Sequence, residues 1–278
     1  MKFGFVEDFR NPLPWRRPAP DLYRAILEQV RRAEEIGYDN VWLTEHHFTA
    51  DEYNPSLLPT AAAIAAATER IRIGTFVLLL PFQHPVRVAE DATCVDILSN
   101  GRFDLGVGQG YSREEFDALC MPRQERSARL AEGVRLIRRL WSEERVTFDG
   151  KFVRVKDLSL SPRPVQRPHP PVVIGGGTAA AFQRAVRHGN GWYGFALNVE
   201  AAARCIEGLR AAARALARPA HLGELEISVT PAGKLDADAV RRFAELGVHR
   251  LIVSRPAAAE SDLLQLVDKI AGLQASSR

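Results

Sequence analysis

The sequence predicts a (β/α)8 barrel, the TIM-barrel class, carrying one small hairpin. Three observations support this. Short apolar runs alternate with helix-periodic segments, the pattern of a parallel sheet whose strands are joined through helices. The alternation completes eight cycles in 278 residues, about 35 residues per cycle, which fits one strand–helix unit and the usual size of a closed barrel. An open doubly wound sheet rarely needs eight units. One stretch, residues 143–171, breaks the rhythm and reads as an insertion between the fourth helix and the fifth strand. No linker-like shift in composition divides the chain, so residues 1–278 read as a single domain.

The elements follow in order. Residues 2–6 form a short apolar strand. A Pro-rich loop, 11–20, leads to a helix that Asp21 is expected to cap. Its apolar positions Leu22, Ala25, Ile26, Val30 and Ala33 recur at three and four residues, and Gly37 stops it. A second strand covers 40–44, an Ala-rich helix 57–67, and a continuous third strand 71–80. Pro85 opens a helix to residue 98, ended by Asn100-Gly101. The fourth strand is 103–107 and a long helix spans 123–141. Two β-like pieces, 146–148 and 152–155, flank Asp149-Gly150, a hairpin signal. Strands then fall at 172–174, 192–195, 225–229 and 250–253. The helices that follow them fall at 179–188, 201–217, 237–246 and 261–271.

Composition removes several function classes. Thirty-seven basic and 34 acidic residues leave a net charge of +3. Pairs such as Arg16-Arg17 and Arg138-Arg139 are too short for a nucleic-acid stripe. The apolar run 76–82 is far short of the roughly 20 residues that span a bilayer. No nucleic-acid or membrane partner is therefore expected. A hydrophobic fraction of 46% and a charged fraction of 26% exclude a disordered, collagen-like or coiled-coil chain. Cys94, Cys120 and Cys205 are odd in number and lack metal spacing. Without a signal-peptide pattern they point to a reducing cytoplasm, and they read as small buried apolar residues.

In a barrel the site lies where strands end and strand-to-helix loops begin. The second strand ends in Glu45-His46-His47. Neighbours on a strand face opposite ways, which disfavours a metal there. His46 is left as a hydrogen-bond partner or general base, or as a structural histidine. No metal is expected. Gly175-Gly176-Gly177-Thr178 lies between a buried strand and a helix. It allows close backbone approach and offers free helix N-terminal amides to a phosphate. The run Gly106-Val107-Gly108-Gln109-Gly110 is a weak dinucleotide fingerprint. It reads better as a small-residue floor for a planar ring, with Gln109 hydrogen-bonding the ligand, or as packing alone. Trp192 and Tyr193 are core residues or a stacking surface.

Five ordered motifs carry a family resemblance. They are residues 37–48 through Glu45-His46-His47-Phe48, His84-Pro85-Val86-Arg87 with Ala89-Glu90-Asp91, and Ser99-Asn100-Gly101-Arg102-Phe103 with Gly106-Val107-Gly108. Pro162-Arg163-Pro164-Val165-Gln166 and Gly175-Gly176-Gly177 complete the set, and the Glu125-Arg126 helix start also fits. The chain resembles the bacterial luciferase-like flavin-dependent monooxygenases and oxidoreductases along most of its length. The resemblance implies a (β/α)8 barrel, a homodimer, and FMN or the deazaflavin F420 at the strand C-termini. His46 falls at the family's catalytic histidine. Phe76-Val77 falls where a cis peptide often backs the flavin ring, and Glu45 and Thr75 are expected to bind the cofactor with them. Gln109 stands where the luciferase has an arginine toward the phosphate. Gly175, Gly176, Gly177 and Thr178 form the phosphate loop, and Arg126 or Arg129 is expected to add a charge there.

Gly108 replaces a reactive cysteine of the luciferase, and Gly175 a glutamate, so light emission on a long-chain aldehyde is not expected. Glu45-His46-His47 resembles the FMN members more than the F420 members. The implied activity is monooxygenation of a small organic substrate with reduced FMN and O2. A separate NAD(P)H:flavin reductase is expected, because the chain lacks a nicotinamide fingerprint. The loop 111–122 and the insertion are expected to cover the site. F420-dependent hydride transfer and flavin binding without turnover are the alternatives.

Overall fold

The computed structural model describes residues 1–233 and 235–254. The chain opens with β1 (Lys2–Glu7), α1 (Ala19–Glu35), β2 (Asn40–Leu43), α2 (Leu57–Ala67) and β3 (Arg72–Thr75). Next come β4 (Leu78–Leu79), α3 (Pro85–Leu98), β5 (Phe103–Gly108), α4 (Arg113–Ala118) and α5 (Arg126–Ser142). The strands β6 (Val146–Asp149) and β7 (Arg154–Leu158) form a separate antiparallel hairpin. The barrel resumes with β8 (Val172–Gly175), α6 (Ala179–His188), β9 (Gly191–Leu197) and α7 (Val199–Ala215). It ends, among the described residues, with β10 (Glu226–Pro231), α8 (Ala237–Glu245) and β11 (Arg250–Ser254).

The strands run β3-β2-β1-β11-β10-β9-β8-β5, and a β3–β5 pairing closes the ring. Every neighbour in it is parallel. This is the expected eight-stranded barrel; the helix expected at 261–271 lies outside the described residues. Closure removes the edges of this eight-strand ring, and β4 pairs with β5 alone. Parallel strands covered by helices are buried on both faces, so they read as apolar runs rather than alternations. All residues of β2 and β5 are buried, and so are the last five of β1.

Several expectations are corrected. Pro18, not Asp21, is the N-cap of α1. The ring of Pro18 suits the entry to a helix, and Asp21 in the first turn places its charge near the positive end of the dipole. The exit of α1 is as expected. Gly37 takes φ +95°, and the N–H groups of Gly37 and Tyr38 bond back to Glu34 and Ala33.

The third stave is not continuous. β3 stops at Thr75, the Phe76–Val77 peptide is cis, and β4 resumes at Leu78. Thr75 bridges the gap: its hydroxyl donates to the Gly106 carbonyl at 2.6 Å and accepts from the Gly106 N–H at 2.9 Å. A Cβ on Gly106 would lie 1.8 Å from the Thr75 carbonyl oxygen, so only glycine permits this approach.

The insertion is the expected hairpin, with its second strand starting two residues later. Buried Glu132 on α5 holds its turn, accepting the N–H groups of Lys151, Phe152 and Val153 at 2.8, 2.9 and 2.8 Å. α4 is an element that periodicity did not reveal. The cysteines are not buried apolar residues: Cys94 and Cys120 are exposed and Cys205 is intermediate. Among the described residues, no helix is long and apolar enough to cross a membrane.

Candidate active site

A cleft of about 600 Å³ opens at the C-terminal ends of the strands. That volume is in the range of small-molecule and cofactor sites. Glu45, His46, Phe76, Val77, Gln109 and Gly175 to Thr178 all line it, so the structure brings these expected site residues together. Thr75 is the exception. It is fully buried and bonded to Gly106, so it supports the wall rather than forming it. β2 and β8, which deliver the histidine and the glycine turn, stand three strand steps apart around the ring.

At the β2 end the strand stops at Leu43, which frees residues 45–47 from strict alternation. Glu45 turns into the protein. One carboxylate oxygen accepts the Leu79 N–H at 3.0 Å, pinning the end of β4. The other meets His47 Nε2 at 2.8 Å. The Glu45 hydrogen bond raises the His47 pKa against the opposing effect of burial. His46 turns toward the cleft. Its Nδ1 lies 2.9 Å from Glu115 Oε1 and its Nε2 3.2 Å from the Tyr111 hydroxyl. Tyr53 packs edge-on against the imidazole, and burial pushes its own pKa up to about 12.

The floor is a stack of rings. Phe76 lies between Trp42 and Tyr193, with centroids 3.8 and 3.5 Å away. Gly74 leaves room for Trp42, since a Cβ there would fall 2.1 Å from the indole. Trp192 and Tyr193 thus belong to the core as well as the cleft. Val77 fills the space above Gly108 and Gly175. Added Cβ atoms at these glycines would lie 2.2 and 2.8 Å from its methyl groups. The two glycines therefore accommodate Val77, which in turn forms the wall.

At the β8 end, Gly176 takes φ +125° and its carbonyl accepts the Trp192 indole N–H at 2.8 Å. Gly177 faces open space. Thr178 caps α6 through its hydroxyl, which accepts the Ala181 N–H at 3.3 Å. The remaining first-turn amides stay available, as at any helix start. The cation at this end is Arg184, which lines the cleft and is only 9% exposed. Its Nη1 donates to Ser127 at 2.7 Å, while its Nε is buried without a partner. Arg126 and Arg129, expected to add a charge here, do not line the cleft. Arg129 pairs with Glu125 at 2.7 Å and lies over Phe152, and Arg126 donates to the Arg123 carbonyl.

These residues fit a flavin-type cofactor. The open glycine turn, the helix start and the Arg184 guanidinium with its unpartnered Nε suit a phosphate, and Val77 with the ring stack offers an apolar wall for a planar group. The insertion does not cover this cleft. It borders a second cavity of about 260 Å³ with Phe152 and Val153. Of the two expected covers, only the loop beginning at Tyr111 reaches the cleft.

Sequence reasoning missed Glu115 and Arg184. The one usable signal was Ser112 three residues before Glu115, a helix start, which would have placed the carboxylate in a first turn.

The comparisons agree with this architecture. Over 176 residues the chain is 36% identical to the F420-dependent glucose-6-phosphate dehydrogenase of Amycolatopsis mediterranei, covering 61% of this chain and 52% of that protein. It is 30% identical over 170 residues to the oxygenase component of the flavin-dependent trigonelline monooxygenase of Acinetobacter baylyi, covering 60% and 47%. The chain thus spans about half the length of these curated relatives. The crystal structure of monooxygenase RslO1 from Streptomyces bottropensis superposes with a TM-score of 0.84 at 25% identity, covering 100% of this chain and 99% of that one. The family described as luciferase-like monooxygenase matches residues 1–268, and the chain belongs to that family.

Proposed function

We propose that this protein is the oxygenase of a two-component system, using reduced FMN and O2 on a small organic substrate. One observation carries the reading: a single cleft lined by His46 is also lined by an open glycine turn and by Arg184, whose Nε has no partner. The relative from Acinetobacter, an oxygenase component, supports a separate NAD(P)H:flavin reductase as partner. The homodimer implied by the family resemblance belongs to the same proposal.

When bound, reduced FMN supplies the electrons and the atom at which oxygen is activated. The chain supplies the rest. The α6 amides, Thr178 and Arg184 hold the phosphate, and Gln109 hydrogen-bonds the cofactor. Phe76 and Val77 support the ring. His46 exchanges a proton near the reacting atoms, a role worth about 10²–10⁴-fold in rate. The Tyr111 loop limits the access of water to the cleft.

The test is binding of FMN to the purified protein, followed by oxygen uptake with an added reductase. Saturable binding with reductase-dependent uptake is expected, with turnover lost in His46→Ala and FMN affinity weakened in Arg184→Gln. A His46→Ala variant with full turnover at saturating reduced flavin would refute the role given to His46.

A second reading has its own support. The 36% identity to an F420-dependent dehydrogenase favours hydride transfer with F420 and no oxygen. Tight binding of F420 in preference to FMN would select it. FMN binding without oxygen uptake under any reductase would instead mark a flavin-binding protein without turnover.

A further inference from the structure

We propose that Glu115 is a positioning residue that fixes His46 as the Nδ1–H tautomer, so that its basic Nε2 faces Tyr111 at the cleft. The proposal deepens the reading of His46 as the proton-handling group and rests on it.

Glu115 Oε1 lies 2.9 Å from the His47 backbone N–H, which can only donate. Oε1 is therefore an acceptor. With Glu115 as a carboxylate, which can only accept, His46 Nδ1 at 2.9 Å from the same atom must carry the hydrogen. In the neutral ring Nε2 is then the acceptor, and it stands 3.2 Å from the Tyr111 hydroxyl, which donates to it.

The arrangement is held from several sides. Glu115 is 2% exposed, and its second oxygen is buried without a partner. Its side-chain hydrogen bonds therefore go to the two histidines. α4 brings it in because Ser112 caps the helix and Phe116 packs edge-on against Phe82 at 4.6 Å. The Tyr53 ring closes on His46 from the loop after β2, leaving Nε2 directed toward Tyr111 and the cleft. The other charged groups nearby are Glu45 and His47, already paired with each other, and Arg10 over the Tyr53 ring.

A chemical consequence follows. A ligand O–H or N–H can pass its proton to the Tyr111 oxygen as the phenolic proton moves to His46 Nε2. The ligand keeps the bonding electron pair, and the imidazolium that forms faces the Glu115 carboxylate.

The test reads the tautomer directly, without cofactor or substrate. In protein labelled with 15N-histidine, His46 is assigned by its loss in His46→Gln. The expected wild-type spectrum has Nδ1 as the protonated, pyrrole-type nitrogen and Nε2 as the pyridine-type nitrogen. Glu115→Gln, which keeps a carbonyl acceptor, should retain that pattern. Glu115→Leu should lose it in favour of Nε2–H or a mixture, and Tyr111→Phe should move the Nε2 signal alone. A wild-type Nε2–H tautomer overturns the proposal by itself, even if the leucine variant does not fold. An unchanged Nδ1–H tautomer in folded Glu115→Leu overturns it too. Because no flavin is present, a failure to bind flavin would sink the functional reading and leave this assignment standing.

Discussion

Arg184 reaches the glycine-turn end of the cleft with its guanidinium nearly buried and its Nε without a partner. A buried donor left unsatisfied is unfavourable, and an anion there would relieve it. A charge-assisted hydrogen bond contributes about 1.5–3 kcal/mol. Arg184→Gln should therefore weaken FMN binding by about 10- to 100-fold, while riboflavin, which lacks the phosphate, binds as before. Fluorescence titration of both ligands checks this; equal weakening of both would remove Arg184 from the phosphate end. At this scale His46 and Gly176 to Thr178 were legible, because they sit at strand ends, where barrel geometry alone points them at the mouth. Arg184 and Glu115 were not. Each lies in a helix, and which way a helical side chain points into a distant strand's territory depends on packing that no local pattern encodes.

Among the elements, the break in the third stave and the grip on the hairpin lend themselves to test. The apolar run across residues 71–80 looked continuous because β3, the 76–77 linkage and β4 are all buried except at Val77 and Arg72. Nothing in composition distinguishes a ladder residue from one in a gap. Close packing at Gly108 supplies one prediction. Gly108→Ala places a methyl 2.2 Å from Val77 and must displace it into the cleft. FMN affinity should fall by at least about tenfold while the barrel stays folded, an overpacking cost of about 1–3 kcal/mol. Glu132 supplies another. Its loss leaves three backbone donors of the hairpin without their acceptor. Glu132→Ala should lower unfolding free energy by about 2–3 kcal/mol in urea titration. It should also speed hydrogen exchange at residues 151–153, with FMN affinity unchanged because the hairpin does not line the cleft. α4 escaped notice for a related reason: six residues are too few to show a helical period.

Across the whole molecule, stability responds to pH through histidines in opposite senses. Burial, with Arg138, Arg135, Arg187 and Arg184 nearby, lowers the His188 pKa from 6.5 to about 4. The unfolded chain then binds more protons between those values, so stability falls as pH drops through that window. His188→Gln should flatten that part of the curve in thermal unfolding across pH. His47 works the other way. Its raised pKa stabilises the fold fully below 6.5 and is lost as pH rises through the folded value. The eightfold alternation made the barrel legible as a whole, since parallel strands buried on both faces leave uninterrupted apolar runs. The choice between cofactors was not legible, because it rests on what fills one cleft rather than on how the staves close.

The proposed oxygenase activity requires this cleft to seat a reduced flavin. Anaerobic titration with reduced FMN and reduced F420, followed by admission of air, tests it most directly. Saturable binding of reduced FMN, weaker binding of F420, and reoxidation of the bound flavin at a rate distinct from that of free flavin are expected. Binding of neither cofactor, or FMN reoxidation indistinguishable from that in buffer, would contradict it.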